Sequence, residues 1–418
     1  MRRAATTVLL FFLCVSQAVA AGKTPGNLNL LNPIRPPVDL PFRLSWSTAS
    51  NAVLYELADS ATGDFANASS LWTSAIWLMI PAHAPGTYSF RVRGWTAAPA
   101  DGGRAGPWSN TLTVQVLNDD QFLDQVSRKS FDFLKAATNS NGLTRDRASS
   151  SLGGSNVESI AASGFYLSAI TVAVDRGWIS WTEGYNRATT TMRTFLYTTP
   201  NVHGFYYHFL KPDGSPSSVP FLEVSSIDTA LLMAGALQSG EYFGGDAKTM
   251  ADALYRRVEW TWMLDPGSLM MRQAWTSAEG FKGYYSSFCE DLLLYLLAIG
   301  SPTSPIPPDS LYCVVRPKGW YGANRFIFTG GGQLFAYQYP LIWFDLRNTA
   351  DWLGVNWWNN AAQAVAVNRA FCQANPGYGY GPNLWGLTAC DGPNGYKAYG
   401  AQLAYWNEHD GTIAPTAA

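Results

Sequence analysis

Five carboxyl groups stand in settings suited to acid–base chemistry. Glu223 opens the stretch Phe221-Leu-Glu-Val-Ser-Ser-Ile-Asp-Thr-Ala-Leu-Leu-Met-Ala-Gly235, where a Ser-Ser pair able to cap a helix leads into an apolar run. A Glu just ahead of a helix start sits near partly positive backbone N–H groups. Asp146 lies in Gly142-Leu-Thr-Arg-Asp-Arg147, Glu290 heads Glu-Asp-Leu-Leu-Leu-Tyr295, Asp391 lies in Trp385-Gly-Leu-Thr-Ala-Cys-Asp-Gly-Pro393, and Asp410 in Glu408-His-Asp-Gly411. Each has a plain structural reading as well. Asp146 pairs with its flanking arginines, Glu290 is a solvated helix start, and Asp391-Gly and Asp410-Gly are common turns. Taken together they predict more, because a chain with 14% charged residues places these acids among Gly, Trp and Tyr. Cleaving a glycosidic bond requires one protonated carboxyl and one that activates water or attacks, and apolar surroundings raise the pKa of the first. Separations of about 6.5–9.5 Å go with inversion and about 5 Å with retention.

Other chemistries have less support. His203 and His208 flank Gly-Phe-Tyr-Tyr, with no third metal ligand spaced to join them, which favours a substrate hydrogen bond or a structural role. There is no G-x-S-x-G, dinucleotide glycine motif, P-loop, H-E-x-x-H or C-x-x-C, and no metal or cofactor is implied. A net charge of −2 argues against a nucleic-acid groove. Aromatics make up 14% of the chain with 17 Trp, either as helical core or as faces on which sugar rings stack.

Several elements must position these residues. Arg2 and Arg3, the apolar run Val8–Val15 and Ala18-Val19-Ala20 read as a signal peptide over residues 1–21, cleaved near Ala20, with export to the periplasm or beyond. No later segment reads as a membrane span. Of five cysteines, Cys14 leaves with that segment; Cys289, Cys313, Cys372 and Cys390 allow one or two disulfides. Residues 22–41 form a Pro-, Asn- and Gly-rich leader. From 42 to 117 the apolar period is two, with turn clusters between short runs, which predicts a β-sandwich. Trp46, Tyr55 and Tyr88-x-Phe-x-Val-x-Gly94 resemble a fibronectin type III module, whose expected role is a spacer. From 118 to 418 the period is about 3.6, with helices predicted over 158–174, from Ser180 (a Ser-Trp-Thr-Glu capping box), from Ser225, and over 247–262, 289–299, 333–346 and 356–374. Many helices joined by long aromatic loops predict a mainly α fold, an α/α toroid rather than a β/α barrel.

A set of motifs carries a family resemblance: Val174-Asp-Arg-Gly-Trp178, His203-Gly-Phe-Tyr-Tyr-His208, Glu223-Val-Ser-Ser-Ile-Asp-Thr-Ala-Leu-Leu232, Glu290-x-Leu-Leu-Leu-Tyr-Leu-Leu-Ala-Ile-Gly-Ser-Pro302, Trp385-Gly-Leu-Thr-Ala389, Asp391-Gly-Pro-x-Gly-Tyr-Lys397 and His409-Asp-Gly-Thr-Ile-Ala-Pro-Thr-Ala-Ala418. Over about residues 119–418 the chain resembles the bacterial glucoamylase-like (α/α)6 toroid family, which includes secreted endo-β-1,2-glucanases. The resemblance implies an exported hydrolase of a β-glucan, acting by inversion. It also implies Glu223 as acid and Asp391 as base, with Asp146 and Glu290 as further catalytic candidates. Tyr207, His208, Trp385, Tyr396 and Asp410 are the expected substrate contacts. Two departures are visible. Pro382 stands where the family carries an acidic residue, and Ala336-Tyr-Gln-Tyr-Pro-Leu341 lacks two family histidines. They favour, as the alternative, a non-catalytic carbohydrate-binding protein on the same fold; a polysaccharide lyase ranks last, since the loops offer more acids than bases. The chain is also expected to stop short of the family's last helix. Oligomeric state is left open.

Overall fold

The computed structural model describes residues 36, 40–149, 153–154, 156–401 and 409–414. The expected signal peptide, most of the leader and the last four residues lie outside these. The chain divides into two compact units, the first ending at Ser127 and the second running from Arg128.

The first unit contains six strands: β1 (Phe42–Ser45), β2 (Leu54–Ser60), β3 (Ser69–Thr73), β4 (Trp77–Ile80), β5 (Gly86–Trp95) and β6 (Leu112–Val116). They form an antiparallel four-stranded sheet in the order β3-β2-β5-β6 and a two-stranded sheet of β1 and β4. Phe42, Leu44 and Trp46 join Tyr55, Leu57, Ile80, Phe90, Val92, Val114 and Val116 in one buried cluster. The period-two reading of this region is therefore a pair of sheets sharing an apolar core. One buried carboxylate is tied down here. Glu56 accepts from Arg93 Nε (2.7 Å), Trp95 Nε1 (2.9 Å) and Ser70 Oγ (2.8 Å). Burial alone raises its pKa, but these donors win and hold it below the ordinary value.

The helix α1 (Asp119–Ala137) follows, and then the second unit interleaves helices with very short strands. In order these are β7 (Thr144–Arg145), β8 (Glu158–Ser159), α2 (Ile160–Asp175), α3 (Trp181–Tyr197), β9 (Asn201–Val202), β10 (Phe205–Tyr206), β11 (Phe209–Leu210), β12 (Val224–Ser225), α4 (Ser226–Phe243) and α5 (Gly245–Arg257). Next come β13 (Arg272–Thr276), β14 (Gly280–Tyr284), α6 (Leu292–Ile299), β15 (Lys318–Tyr321), β16 (Asn324–Ile327), α7 (Phe335–Trp343), α8 (Trp357–Ala374), β17 (Cys390–Gly392) and β18 (Gly395–Lys397). The mainly α reading holds: eight α-helices stand among the described residues, with two- and three-stranded sheets between them. No described helix is long and apolar enough to cross a membrane.

Local chemistry explains the helix starts. Ser159, Ser180 and Ser225 each accept the backbone N–H three residues on, from Ala162, Glu183 and Asp228. Only half of the expected capping box at Ser180 forms, because the Glu183 carboxylate turns instead to Lys135 (2.8 Å) and Arg187 (2.9 Å). Helix α2 begins two residues later than expected because Glu158 and Ser159 pair as a strand with β7 and β11. Helix α6 begins at Leu292, three residues late, after a turn in which Asp291 accepts from Cys289 N.

Helices α2 and α4 are apolar on nearly every face and form the heart of a large core. They touch main chain to main chain. A Cβ on Gly235 would lie 2.0 Å from Gly164 O, and one on Gly164 would lie 2.4 Å from Leu231 O. Helices α3 and α5, by contrast, keep polar residues on one side and bury the other. A second apolar cluster holds Phe326, Tyr337, Trp357, Val367, Phe371, Leu387 and Tyr399. All four described cysteines, Cys289, Cys313, Cys372 and Cys390, are free thiols, and none of the disulfides their number allows joins them.

Candidate active site

At the N-terminus of α4 a three-stranded sheet (order β12-β13-β14) meets the His203–His208 segment through an antiparallel bridge between Val224 and Tyr207. Glu223 immediately precedes β12, and its carbonyl accepts from His208 N (3.0 Å). The side chains repeat the pairing: His208 Nδ1 donates to Glu223 Oε1 at 2.8 Å. The opposite ring nitrogen, Nε2, faces Asp228 Oδ1 at 3.5 Å. Asp228 sits in the first turn of α4, where Ser225 Oγ also donates to it. The imidazole stacks on Phe209 with centroids 3.7 Å apart. Burial lowers the His208 pKa, but the Glu223 bond and the charges of Asp228, Glu223 and Asp146 outweigh it and raise it above 6.5. Glu223 moves the other way: burial raises it, while the His208 bond and charge bring it below 4.5.

Asp146 follows β7, its backbone held by Val157 O. Burial is the largest influence on its carboxyl and raises it, against the lowering charges of Arg147 and His208. Arg147 Nε lies 3.4 Å from both Asp146 Oδ2 and Asp391 Oδ2, and its guanidinium sits 5.2 Å from the Tyr396 ring. Asp391 and Tyr396 are cross-strand partners in the β17–β18 hairpin, so one arginine ties that hairpin to the Asp146 loop. Both hairpin residues are more than half exposed.

Glu290 occupies the turn before α6. Burial, then the charges of Asp228 and Asp291, raise its pKa to about 8, with His208 pulling slightly the other way. The same acid electrostatically faces Tyr285, Tyr339 and Tyr396. Five carboxyls (Asp146, Glu223, Asp228, Glu290 and Asp391) thus share Arg147 and His208, with Lys282 reaching Glu223. With acids in excess of cations, one of them keeps its proton at neutral pH, and burial selects Glu290.

Of the expected substrate contacts, His208 and Tyr396 belong to this group, and Tyr207 bridges to Val224 beside it. Trp385 packs instead against the second apolar cluster. Asp410 accepts from Tyr399 Oη (2.8 Å) and Thr412 Oγ1 (2.6 Å), and these bonds hold its pKa at about 2. Sequence reasoning passed over Asp228, although Ser225-Ser-Ile-Asp228 has the Ser-x-x-acid spacing of a capping box. It also passed over Phe281 and Tyr284, partly exposed rings on β14 that flank the Arg272 guanidinium at 4.8 and 4.9 Å. Among the described residues no group of three His, Cys, Asp or Glu side chains is arranged to hold a metal ion.

Comparison with known proteins gives this geometry a context. The family model described as "Putative glucoamylase" matches residues 283–418. An exo-β-1,2-glucooligosaccharide sophorohydrolase (non-reducing end) of Parabacteroides distasonis is 27% identical over 355 residues, 74% of this chain and 47% of that protein. The chain thus spans about half the length of this curated relative. The structure of an endo-β-1,2-glucanase from Chitinophaga pinensis, in complex with sophorotriose and glucose, is 26% identical with a TM-score of 0.66, over 72% of this chain and 78% of the other. A β-1,2-glucanase from Parabacteroides distasonis shares the fold at 21% identity and a TM-score of 0.65, over 94% of this chain and 61% of the other. Over residues 283–418 the chain is thus similar to the family described as putative glucoamylase, and over most of its length to proteins named as β-1,2-glucan hydrolases.

Proposed function

We propose that this chain is an exported glycoside hydrolase that cleaves β-1,2-glucan by an inverting, two-carboxylate reaction. The observation that carries the reading is Glu290: a carboxyl whose pKa stands at about 8, set among carboxylates that lie against Arg147 and His208. A proton-bearing acid beside ionised partners is the pairing that glycosidic cleavage requires. The linkage rests on the relatives, whose names specify β-1,2-glucans and sophoro-oligosaccharides.

In this reading Glu290 protonates the leaving oxygen. Asp146, made more basic by burial yet kept ionised by its neighbours, takes the proton of the attacking water. Glu223 is paired to His208 and poorly placed to carry a proton at neutral pH, so it holds the imidazole instead of acting as the acid. Asp391, shared with Asp146 through Arg147, steadies the hairpin that presents Tyr396. Phe281 and Tyr284 offer ring faces for sugar stacking. The helices form an (α/α)6 toroid, a reading supported by the alternation of all-round apolar α2, α4 and α6 with one-sided α3 and α5. Residues 42–117 are a fibronectin type III-like spacer, and residues 118–418 carry the chemistry.

The test is reducing-end release from linear β-1,2-glucan beside β-1,3-, β-1,4- and α-1,4-glucans. Release from the β-1,2 polymer, lowered by about 10²–10⁴ in Glu290→Gln, is the expected result. Proton NMR of the first-formed anomer then reads the stereochemistry, with inversion expected. Absence of release from all four glucans by the unaltered chain would overturn the reading in favour of a binding protein.

A further inference from the structure

We propose that His208 is a positioning residue: gripped at one ring nitrogen by Glu223 and faced at the other by Asp228, its imidazolium sets where the proton of the cluster resides. This deepens the hydrolase reading and rests on it. The geometry leaves the ring little freedom. Nδ1 is 2.8 Å from Glu223 Oε1, Nε2 is 3.5 Å from Asp228 Oδ1, and the ring face lies on Phe209. The His208 carbonyl accepts from Ile160 N and its N–H donates to Glu223 O, so the main chain is held on both sides as well.

The charged groups around the ring come from four segments. They are Glu223 before β12, Asp228 on α4, Asp146 after β7 and Glu290 before α6; Arg147 and Lys282 act on Asp146 and Glu223 in turn. A positive charge at this point lowers the proton affinity of every one of those acids. Glu223 is the acid that touches it, while for Glu290 it works against burial and the charges of Asp228 and Asp291. Removing the charge while keeping an amide donor moves Asp146, Glu223 and Glu290 the same way, towards higher pKa. Both limbs of the pH–rate profile then shift upward together. The acid limb moves because the base needs a higher pH to ionise, and the alkaline limb because Glu290 keeps its proton longer. A residue that merely supports the fold lowers the height of the profile and leaves its limbs in place.

The experiment compares kcat/KM against pH for the unaltered chain and His208→Gln on β-1,2-glucan, with His208→Asn as a second variant should the first fold poorly. Upward displacement of the limbs is expected, by about one pH unit on the acid limb and by less on the alkaline limb; an acid limb that stays in place would overturn the inference. Imidazole NMR of histidine-labelled protein gives a reading that needs no substrate. His208 titrates above 6.5 in the unaltered chain and lower in Glu223→Gln; a midpoint at or below 6.5 would sink the inference even in an active enzyme. If the chain releases no sugar, the titration still decides the role of His208, so the two failures are told apart.

Discussion

Glu56 in the N-terminal unit and Glu290 in the C-terminal unit are both desolvated acids, and they end in opposite states. Glu56 meets three donors, one of them a guanidinium, and its proton is driven off. Glu290 meets Asp228 and Asp291 and keeps its proton at neutral pH. Desolvation pushes both the same way, so the surrounding balance of donors and acids decides the outcome. A saturated carboxylate is a rivet. One left among other acids is available for proton transfer. Residue type and desolvation are the same for the two acids; their neighbours are what differ.

The comparison can be broken at several points. Glu290→Gln is expected to cost about 10²–10⁴ in kcat while leaving the melting temperature unchanged or higher, since a buried ionisable group is removed; turnover and calorimetry on the same sample check both halves. Asp146→Asn should fall in the same range of activity loss, and should abolish the acid limb of the pH profile that its raised pKa produces. Glu56→Ala is expected to reverse the pattern, with about 2–3 kcal/mol of stability lost in denaturant titration of the full chain and no change in kcat. Its sign with pH follows from the lowered pKa. The Glu56 contribution is complete above the ordinary value of 4.5 and is lost as pH falls through the lower folded value, so the variant and the parent converge in acid. The smallest effect belongs to Asp391→Asn, under about tenfold in kcat, because that carboxylate is half exposed and shares its cation. A loss as large as that of Asp146→Asn would hand the base role back to Asp391.

Much of the scaffold was legible from pattern. Helices α2, α3, α4 and α8 announce themselves through a polar cap followed by an apolar run, and the two-residue period of 42–117 gave the paired sheets. The hairpins β13–β14, β15–β16 and β17–β18 were not legible. Strands of three to five residues in Gly- and aromatic-rich loops are set by the partners they meet in the fold, not by their own periodicity. In the candidate site, acids in aromatic loops pick out Asp146, Glu223, Glu290 and Asp391, which the fold brings near one another. Asp228 was lost because an acid in a first helical turn has a sufficient local explanation. Which carboxyl keeps its proton depends partly on distant neighbours, with Asp228 and His208 lying 62 and 82 residues from Glu290, and no local window contains them.

The contact between Gly164 and Gly235 bears on how this protein tolerates change. Asp228 rides on α4, and Ser159 and Glu158 stand at the head of α2; the spacing of those two helices is fixed by peptide groups in contact, with no side chains interposed. Drift among the leucines and alanines on the outer faces of these helices therefore leaves the distance between the helices, and the acids at their ends, where it was. A single methyl group at either glycine would meet the main chain of the other helix and so shift Asp228 at the head of α4 relative to α2.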